Sequence, residues 1–250
     1  MFNLSKIGKP IAQIDGGKND KKIISIAEDK DKDAEDVKTF SSIHIPDGKL
    51  QQVPNSNVER DVLYITGKSG SGKSYYASQY LKQYKKAHPK NEIYLFSSVN
   101  DDKALDKMKV KRIKLSPELE GLELNEFNDS CCIFDDCDVI KDPKTRDAVY
   151  KILDLMLETG RHHKITVIMT NHLATDTKNT KRILNEAHTI TVFPQGTAGR
   201  GLKYLLMEYL GLDKNQVKLL KNSKSRWITI FNSYPMIAMT ETDIIPLTTE

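Results

Sequence analysis

Residues 67–74 read GKSGSGKS, and Gly67, Gly72, Lys73 and Ser74 satisfy the spacing G-x-x-x-x-G-K-[ST] without a mismatch. That spacing is suited to holding a polyphosphate. Glycines let a loop curl until several backbone N–H groups point at one anion, and a helix starting at the end of the loop adds its positive end. The expected cradle is Gly67, Lys68, Ser69, Gly70, Ser71, Gly72, Lys73 and Ser74, with Tyr75 just beyond it. Lys73 would reach the β- and γ-phosphates as a point charge, and Ser74 would offer its hydroxyl to Mg²⁺.

Two further clusters have residue types that complete such chemistry. The stretch CCIFDD (131–136) is an apolar run ending in two acids. Asp135 would hold Mg²⁺ together with Ser74, and Asp136 would orient or deprotonate an attacking water, with Asp138 as its substitute. Many hydrolytic phosphate-loop enzymes have the longer Glu where Asp136 stands. The stretch ITVIMTNH (165–172) ends in Thr170, Asn171 and His172. Asn171 is the first choice, and Thr170 the second, for a polar group touching the γ-phosphate or the lytic water. His172 reads equally as a loop histidine. Arg161 in TGRHHKI (159–165) follows a glycine suited to a helix end. It is either a surface charge or a group reaching a neighbouring subunit's nucleotide, with Arg200 and Arg226 as competitors.

These residues need elements to place them. VLYI (62–65) before the loop is β-branched and apolar, and the 15 residues after it can wind into a helix over 73–87. Strands are expected at 62–66, 92–99, 130–136, 164–171 and 187–193, and helices at 73–87, 101–108, 142–160, 178–186, 200–210 and 213–221. The strands are nearly continuous apolar runs, as in a parallel sheet covered on both faces. The pattern predicts an α/β fold of that kind over 61–250, closed by an antiparallel strand pair at 226–232 and 236–240. Strands of such sheets present functional groups at their C-terminal ends. Residues 1–60 read as a small, partly mobile extension. It has one strand at 21–28, a mixed-charge loop or short helix at 29–38 and a turn-rich stretch at 46–57.

The 250 residues suffice for one sizeable domain plus an appendage. No run of 18 apolar residues occurs, so no membrane span is expected, and the N-terminus lacks the apolar core of a secretory signal. Three closely spaced cysteines, Cys131, Cys132 and Cys137, suggest a reduced, intracellular protein without a zinc site. The net charge of +4 is unevenly spread: residues 141–230 carry 16 basic and 8 acidic side chains, a local +8, whereas residues 61–140 carry 12 and 13. A basic half suits a polyanion such as DNA, and equally a solvated surface. Lys178, Lys181, Arg182 and Lys203 are the candidate phosphate contacts.

In the order ITGKSGSGKS, CCIFDD, LETGRHHKITVIMTNH, ITVFPQG and SRWITI…YP, these motifs resemble the genome-packaging ATPases of large nucleocytoplasmic DNA viruses. Those enzymes are the poxvirus-type branch of the HerA–FtsK superfamily. The resemblance spans about residues 61–247. It implies a RecA-like P-loop NTPase core, with ATP and Mg²⁺ as cofactors and double-stranded DNA as the polymer moved. It also implies a homo-oligomeric ring (pentamer or hexamer) hydrolysing ATP between subunits, viral capsid or vertex proteins as partners, and a viral assembly site in the host cytoplasm or the virion as location. By motif, Lys73, Ser74, Asp135, Asp136 and the Thr170–Asn171 sensor carry over, and Arg161 becomes the favoured trans arginine finger. Two other readings remain at this point: a P-loop kinase of small molecules, and a nucleotide-dependent capsid scaffold without turnover.

Overall fold

The computed structural model describes residues 1–5, 7–27, 38–175, 180–195, 197 and 199–247. Strands before the phosphate loop are β1 (Phe2–Asn3), β2 (Lys9–Asp15), β3 (Ile23–Ile26), β4 (Thr39–Phe40), β5 (Ile43–His44) and β6 (Lys49–Gln52). The core then runs β7 (Val62–Thr66), α1 (Lys73–Ala87), β8 (Ile93–Ser97), β9 (Lys111–Ile113), β10 (Cys131–Asp135), α2 (Pro143–Thr159), β11 (Thr166–Asn171), α3 (Lys181–Glu186) and β12 (Thr189–Val192). It closes with α4 (Gly199–Lys203), α5 (Lys214–Asn222), β13 (Ile228–Phe231), β14 (Ile237–Met239) and β15 (Asp243–Pro246).

A mixed ten-stranded sheet has the order β5-β15-β14-β13-β12-β7-β11-β10-β8-β9. From β12 to β9 every pairing is parallel; from β12 back to β5 every pairing is antiparallel. Period-2 alternation divides the core. Val62 and Tyr64 face α2 and α3 with Phe134, Met169, Val149 and Met156. Leu63 and Ile65 face α1 with Ile133, Ile168, Tyr80 and Leu81. All residues of β7, β10, β11 and β12 are buried, which explains their unbroken apolar reading. Register then sets the chemistry: Asp135 lies opposite Ser97, Thr170 opposite Ile65, and Asn171 and Val192 opposite Thr66. The C-terminal ends of five parallel strands thus meet at one edge.

Helix α2 shows why its boundaries were readable. Asp142 caps it by accepting the Thr145 N–H at 2.8 Å, Pro143 takes the first helical position, and Val149, Ile152, Leu153 and Met156 form its buried stripe. At its other end, Gly160 holds a right-handed conformation. A Cβ there would come within 2.8 Å of the Arg60 guanidinium, which donates to the Met156 and Leu157 carbonyls. The glycine makes room for that cap rather than supplying a left-handed turn.

Several expectations needed correction. The helix expected over 101–108 is only a 3₁₀ turn at Asp106–Met108: the Asp102 carboxylate caps its start, taking the N–H groups of Ala104 and Leu105 at 2.8 and 2.9 Å, and Lys109, left-handed at φ 55°, ends it at once. The helix expected over 200–210 begins as α4 but widens into a π-helical turn at Tyr204–Tyr209, with Leu205, Leu206 and Leu210 all buried. The C-terminal strand pair, β13 and β14, is extended by β15 and then by β5 from the N-terminal segment. Among its described residues that segment has six strands, not one. Five make a separate antiparallel sheet, β4-β1-β3-β2-β6, that packs Ile11, Ile14, Ile24 and Leu50 against Phe231, Met239 and Ile244. The stretch expected as a loop or short helix at 29–38 lies outside the described residues apart from Lys38. Among the described residues no helix is long and apolar enough to cross a membrane.

Candidate active site

The loop between β7 and α1 is tied down at its first residue: Gly67 N–H donates to the Asn171 carbonyl at 3.1 Å. A Cβ on Gly67 would fall 2.7 Å from Ser71 Oγ and 3.2 Å from Phe193, so a larger residue would have to displace both side chains. Gly72, at φ 113°, occupies the N-cap of α1 without a side-chain cap. The first N–H groups of α1 thus have no side-chain acceptor at the cap, and anions bind at such a terminus. Ser71 Oγ is buried with no hydrogen-bond partner. An orphaned hydroxyl inside an uncapped glycine loop is what a bound phosphate oxygen would satisfy. Lys68, Ser69 and Gly70 are exposed, Ser74 is half-buried, and the Tyr75 ring stands 63% exposed.

Lys73 is buried, and its Nζ lies 3.5 Å from Asp136 Oδ1. The two expected catalytic groups are therefore in contact. Asp136 has φ 49°, a left-handed backbone that is uncommon for a residue with a side chain and is frequent at functional sites. Asp135 is only 2% exposed; its Oδ1 accepts from Thr170 Oγ1 at 2.8 Å. Burial pushes its carboxyl up to about 6, against the Thr170 hydrogen bond, with neighbouring Asp136 adding to the rise and Lys73 opposing it. Thr170 joins both acids, since its Oγ1 also accepts the Asp136 N–H at 3.2 Å.

Asn171 is placed differently. It shares the face of Tyr64 and Met169, opposite α1, and its Nδ2 reaches the Tyr64 hydroxyl at 3.4 Å while Oδ1 is buried without a partner. Thr170 touches the acid pair and Asn171 does not. Arg161 sits in the turn before β11, exposed and paired with Glu59 at 3.2 Å. It is at the end of the sheet away from the loop of its own chain. Arg226, by contrast, lies on that loop, with Nε donating to the Ser71 carbonyl at 3.3 Å. Arg200 is exposed on α4. Of the basic residues considered for DNA, Lys181 and Lys203 are exposed, and Arg182 is engaged by Asp154 at 2.6 Å and Glu158 at 3.2 Å. Lys178 lies outside the described residues.

Two members of the site were underweighted in the sequence. His172 donates its N–H to Asp138 Oδ2 at 3.2 Å, and its Nδ1 lies 3.4 Å from Asp138 and 3.6 Å from Asp136. It is part of the site's edge rather than a free loop histidine. The D-x-D spacing of Asp136 and Asp138 was the available signal. The three cysteines are free and buried, and burial pushes the Cys132 thiol up to about 12, so they belong to the core.

A divalent cation fits this donor set. Asp135 and Ser74 offer hard oxygen ligands, and Asp135, Asp136 and Asp138 outnumber the single Lys73. The buried Asp135 carboxylate is itself short of positive charge.

A glycine-rich loop after β7, inside the parallel part of a mixed sheet, with acids on the next strand but one, is the layout of an α/β NTPase fold. Solved structures agree on the fold. The genome packaging NTPase B204 of Sulfolobus turreted icosahedral virus 2, in complex with ATP-gammaS, superposes with a TM-score of 0.50 at 14% identity, over 73% of this chain and 98% of that one. The cytoplasmic domain of the Thermomonospora curvata Type VII secretion ATPase EccC reaches 0.55 at 10% identity, over 80% of this chain but 28% of its own. No family model matches the chain. The chain is 42% identical over 243 residues to "Uncharacterized protein V3" of Sputnik virophage, covering 96% of each, and it belongs to that protein's family.

Proposed function

We propose that this protein is an ATP-driven double-stranded DNA translocase that packages a viral genome, working as a homo-oligomeric ring with ATP hydrolysed between subunits. The observation that carries the hydrolytic part is the contact of Lys73 with Asp136 at the mouth of an uncapped glycine loop, beside the buried Asp135–Thr170 pair. The packaging part is supported by the motif order described above and by the fold shared with a viral packaging NTPase. A viral assembly site in the host cytoplasm, capsid or vertex partners and the poxvirus-type affiliation belong to the same proposal.

The residues divide the work as follows. Backbone N–H groups of the loop and of the first turn of α1 hold the phosphates, and Ser71 Oγ gains the partner it lacks. Lys73 exchanges Asp136 for the β- and γ-phosphates. That exchange frees the Asp136 carboxylate, which orients the attacking water and accepts its proton. Thr170 holds both acids in register. Ser74 and Asp135 would hold Mg²⁺, which supplies neutralisation of charge on the β- and γ-oxygens. Asn171, whose buried Oδ1 lacks a donor, accepts a hydrogen bond from the attacking water. Arg161 serves the adjoining subunit.

Phosphate release from ATP, measured with and without long double-stranded DNA, tests the proposal. Turnover that rises with DNA, together with DNA binding that weakens steeply with salt and varies little with sequence, is the expected result. DNA-independent transfer of the γ-phosphate to a small acceptor, or nucleotide binding without turnover, overturns it.

A further inference from the structure

Beside the first turn of α1 lies a cleft of about 280 Å³ that the phosphate chemistry does not use. Its walls come from three distant parts of the chain: Gly72 and Tyr75 from the loop and helix, Phe193, Arg226 and Glu241 from the C-terminal half, and Gln51 from β6 of the small sheet. We propose that this cleft takes the base and ribose of a purine nucleotide, with the Tyr75 ring as stacking platform and the N-terminal sheet as the far wall. The inference rests on the reading of the loop as a triphosphate site.

Position is the first argument. Gly72 belongs to both the loop and the cleft. Arg226 marks the seam: its Nε bonds the Ser71 carbonyl, and its Nη2 lies 3.4 Å from where a Gly72 Cβ would stand. Lys73 and the acids mark the γ-phosphate end on the β10 side of the loop, and the seam lies on the β12 side, where the esterified end of a triphosphate would point. The volume is near the lower end of small-ligand pockets and suits a nucleoside moiety rather than a whole nucleotide.

Tyr75 is the second argument. Helix α1 carries four tyrosines, and three of them, Tyr76, Tyr80 and Tyr84, are at most 3% exposed. Tyr76 also lines the cleft but is buried, whereas Tyr75 lines it at 63% exposure, with its ring open to solvent. An exposed aromatic ring at the mouth of a site stacks well on a planar base, which buries apolar area on both partners.

The third argument is that the far wall is fixed in register with the loop. The Tyr76 hydroxyl, next along α1, donates to Gln52 Oε1 at 2.8 Å and meets Thr229 Oγ1 at 2.6 Å, while Gln52 Nε2 reaches Thr189 at 3.1 Å. Gln83 of α1 bonds Gln13 of β2 at 2.8 Å. Buried, satisfied polar contacts of this kind hold two layers in one arrangement. On the cleft side, Glu241 accepts the Arg226 N–H at 2.9 Å and faces Lys49 at 3.5 Å, so hydrogen-bonding groups border the space next to Gln51.

Binding of ATP, UTP and inorganic tripolyphosphate, each with Mg²⁺, measured calorimetrically on the full chain, separates base from phosphate recognition. The wild type is expected to bind ATP at least about 10-fold more tightly than tripolyphosphate, and more tightly than UTP. Tyr75→Ala is expected to weaken ATP about 10-fold and leave tripolyphosphate unchanged, and Tyr75→Phe to restore the wild-type preference. Equal wild-type affinity for ATP and tripolyphosphate, or an equal loss for both in Tyr75→Ala, overturns the cleft assignment while leaving the loop intact. A wild type that binds neither overturns the triphosphate reading itself.

Discussion

Two buried aspartates sit at opposite ends of the parallel strands and are treated in opposite ways. Asp61, just before β7, is surrounded by donors: its Oδ2 accepts the Tyr80 hydroxyl at 2.7 Å and the Asn55 N–H at 3.0 Å, and His188 lies 3.6 Å from Oδ1. Asp135, at the end of β10, has the Thr170 hydroxyl, a second acid beside it, and a rise to about 6 caused by burial. The same contrast runs along both edges. At the Asp61 edge, Arg60 satisfies the α2 carbonyls. At the Asp135 edge, Ser71, Thr66 and Asn171 each have a buried side-chain oxygen without a partner. A fold under selection for stability alone satisfies such atoms. Three such oxygens together beside the loop suit a site that takes a polar, charged ligand.

The largest effects should come from removing the charges at that edge. Lys73→Ala is expected to abolish hydrolysis and strongly weaken nucleotide binding, because the phosphates lose the one loop cation that faces the acids. Asp136→Asn should retain nucleotide binding while turnover falls on the order of 10²–10⁴-fold, as for loss of a general base. Single-turnover assays beside equilibrium binding distinguish the two. Full turnover in Asp136→Asn would transfer its role to Asp138, 3.4 Å from His172.

Arg161 tests whether the satisfied edge has a partner of its own. It lies at the end of the sheet opposite the loop, so its action on a γ-phosphate requires a second subunit. Arg161→Ala should leave the chain folded and ATP-binding but lower turnover by about 10³-fold or more. Mixing Arg161→Ala with Lys73→Ala subunits should restore part of the activity at interfaces where an intact loop meets an intact arginine. Absence of recovery in verified mixed assemblies would exclude Arg161. Arg226 would then be the arginine to test, although its contact with Ser71 of its own chain suits a cis role.

How much of this was legible depends on chain separation. The loop, Lys73 and Ser74 are contiguous, and the strands holding Asp135 and Thr170 are buried on both faces, so each announced itself as an apolar run ending in polar groups. Arg226 on Ser71 joins residues 155 positions apart, and no local pattern reports that. His172 read as a loop histidine because its partners, Asp136 and Asp138, lie on another strand's exit. Ordering Asn171 before Thr170 ignored strand alternation, which puts the two side chains on opposite faces. The N-terminal sheet was underread because its strands are two to seven residues long and interrupted by turn residues. Their stability comes from packing against β13, β14 and β15, not from local propensity.

The smallest effects concern the two aspartates themselves, and their signs should differ. In protein free of nucleotide and divalent cation, Asp135→Asn removes a buried, poorly compensated charge while keeping an oxygen for Thr170. A carboxyl raised from 3.8 to about 6 costs the folded state on the order of 3 kcal/mol once ionised. The folded state holds its proton more tightly than the unfolded chain does. The penalty is therefore absent below about pH 4, grows between the two values, and is complete above about 6. Asp135→Asn should then raise the unfolding midpoint at pH 7–8, and the gain should fade as the pH is lowered through that window. Asp61→Asn keeps one acceptor for Tyr80 and Asn55 but weakens charge-assisted bonds, and it turns an amide toward His188. It should lower stability by about 1–2 kcal/mol at pH 7. Denaturant unfolding of the two variants beside the wild type measures both signs. If both substitutions destabilise, Asp135 is held by the fold as firmly as Asp61, and the reading of its edge as a site strained for a charged ligand loses its energetic support.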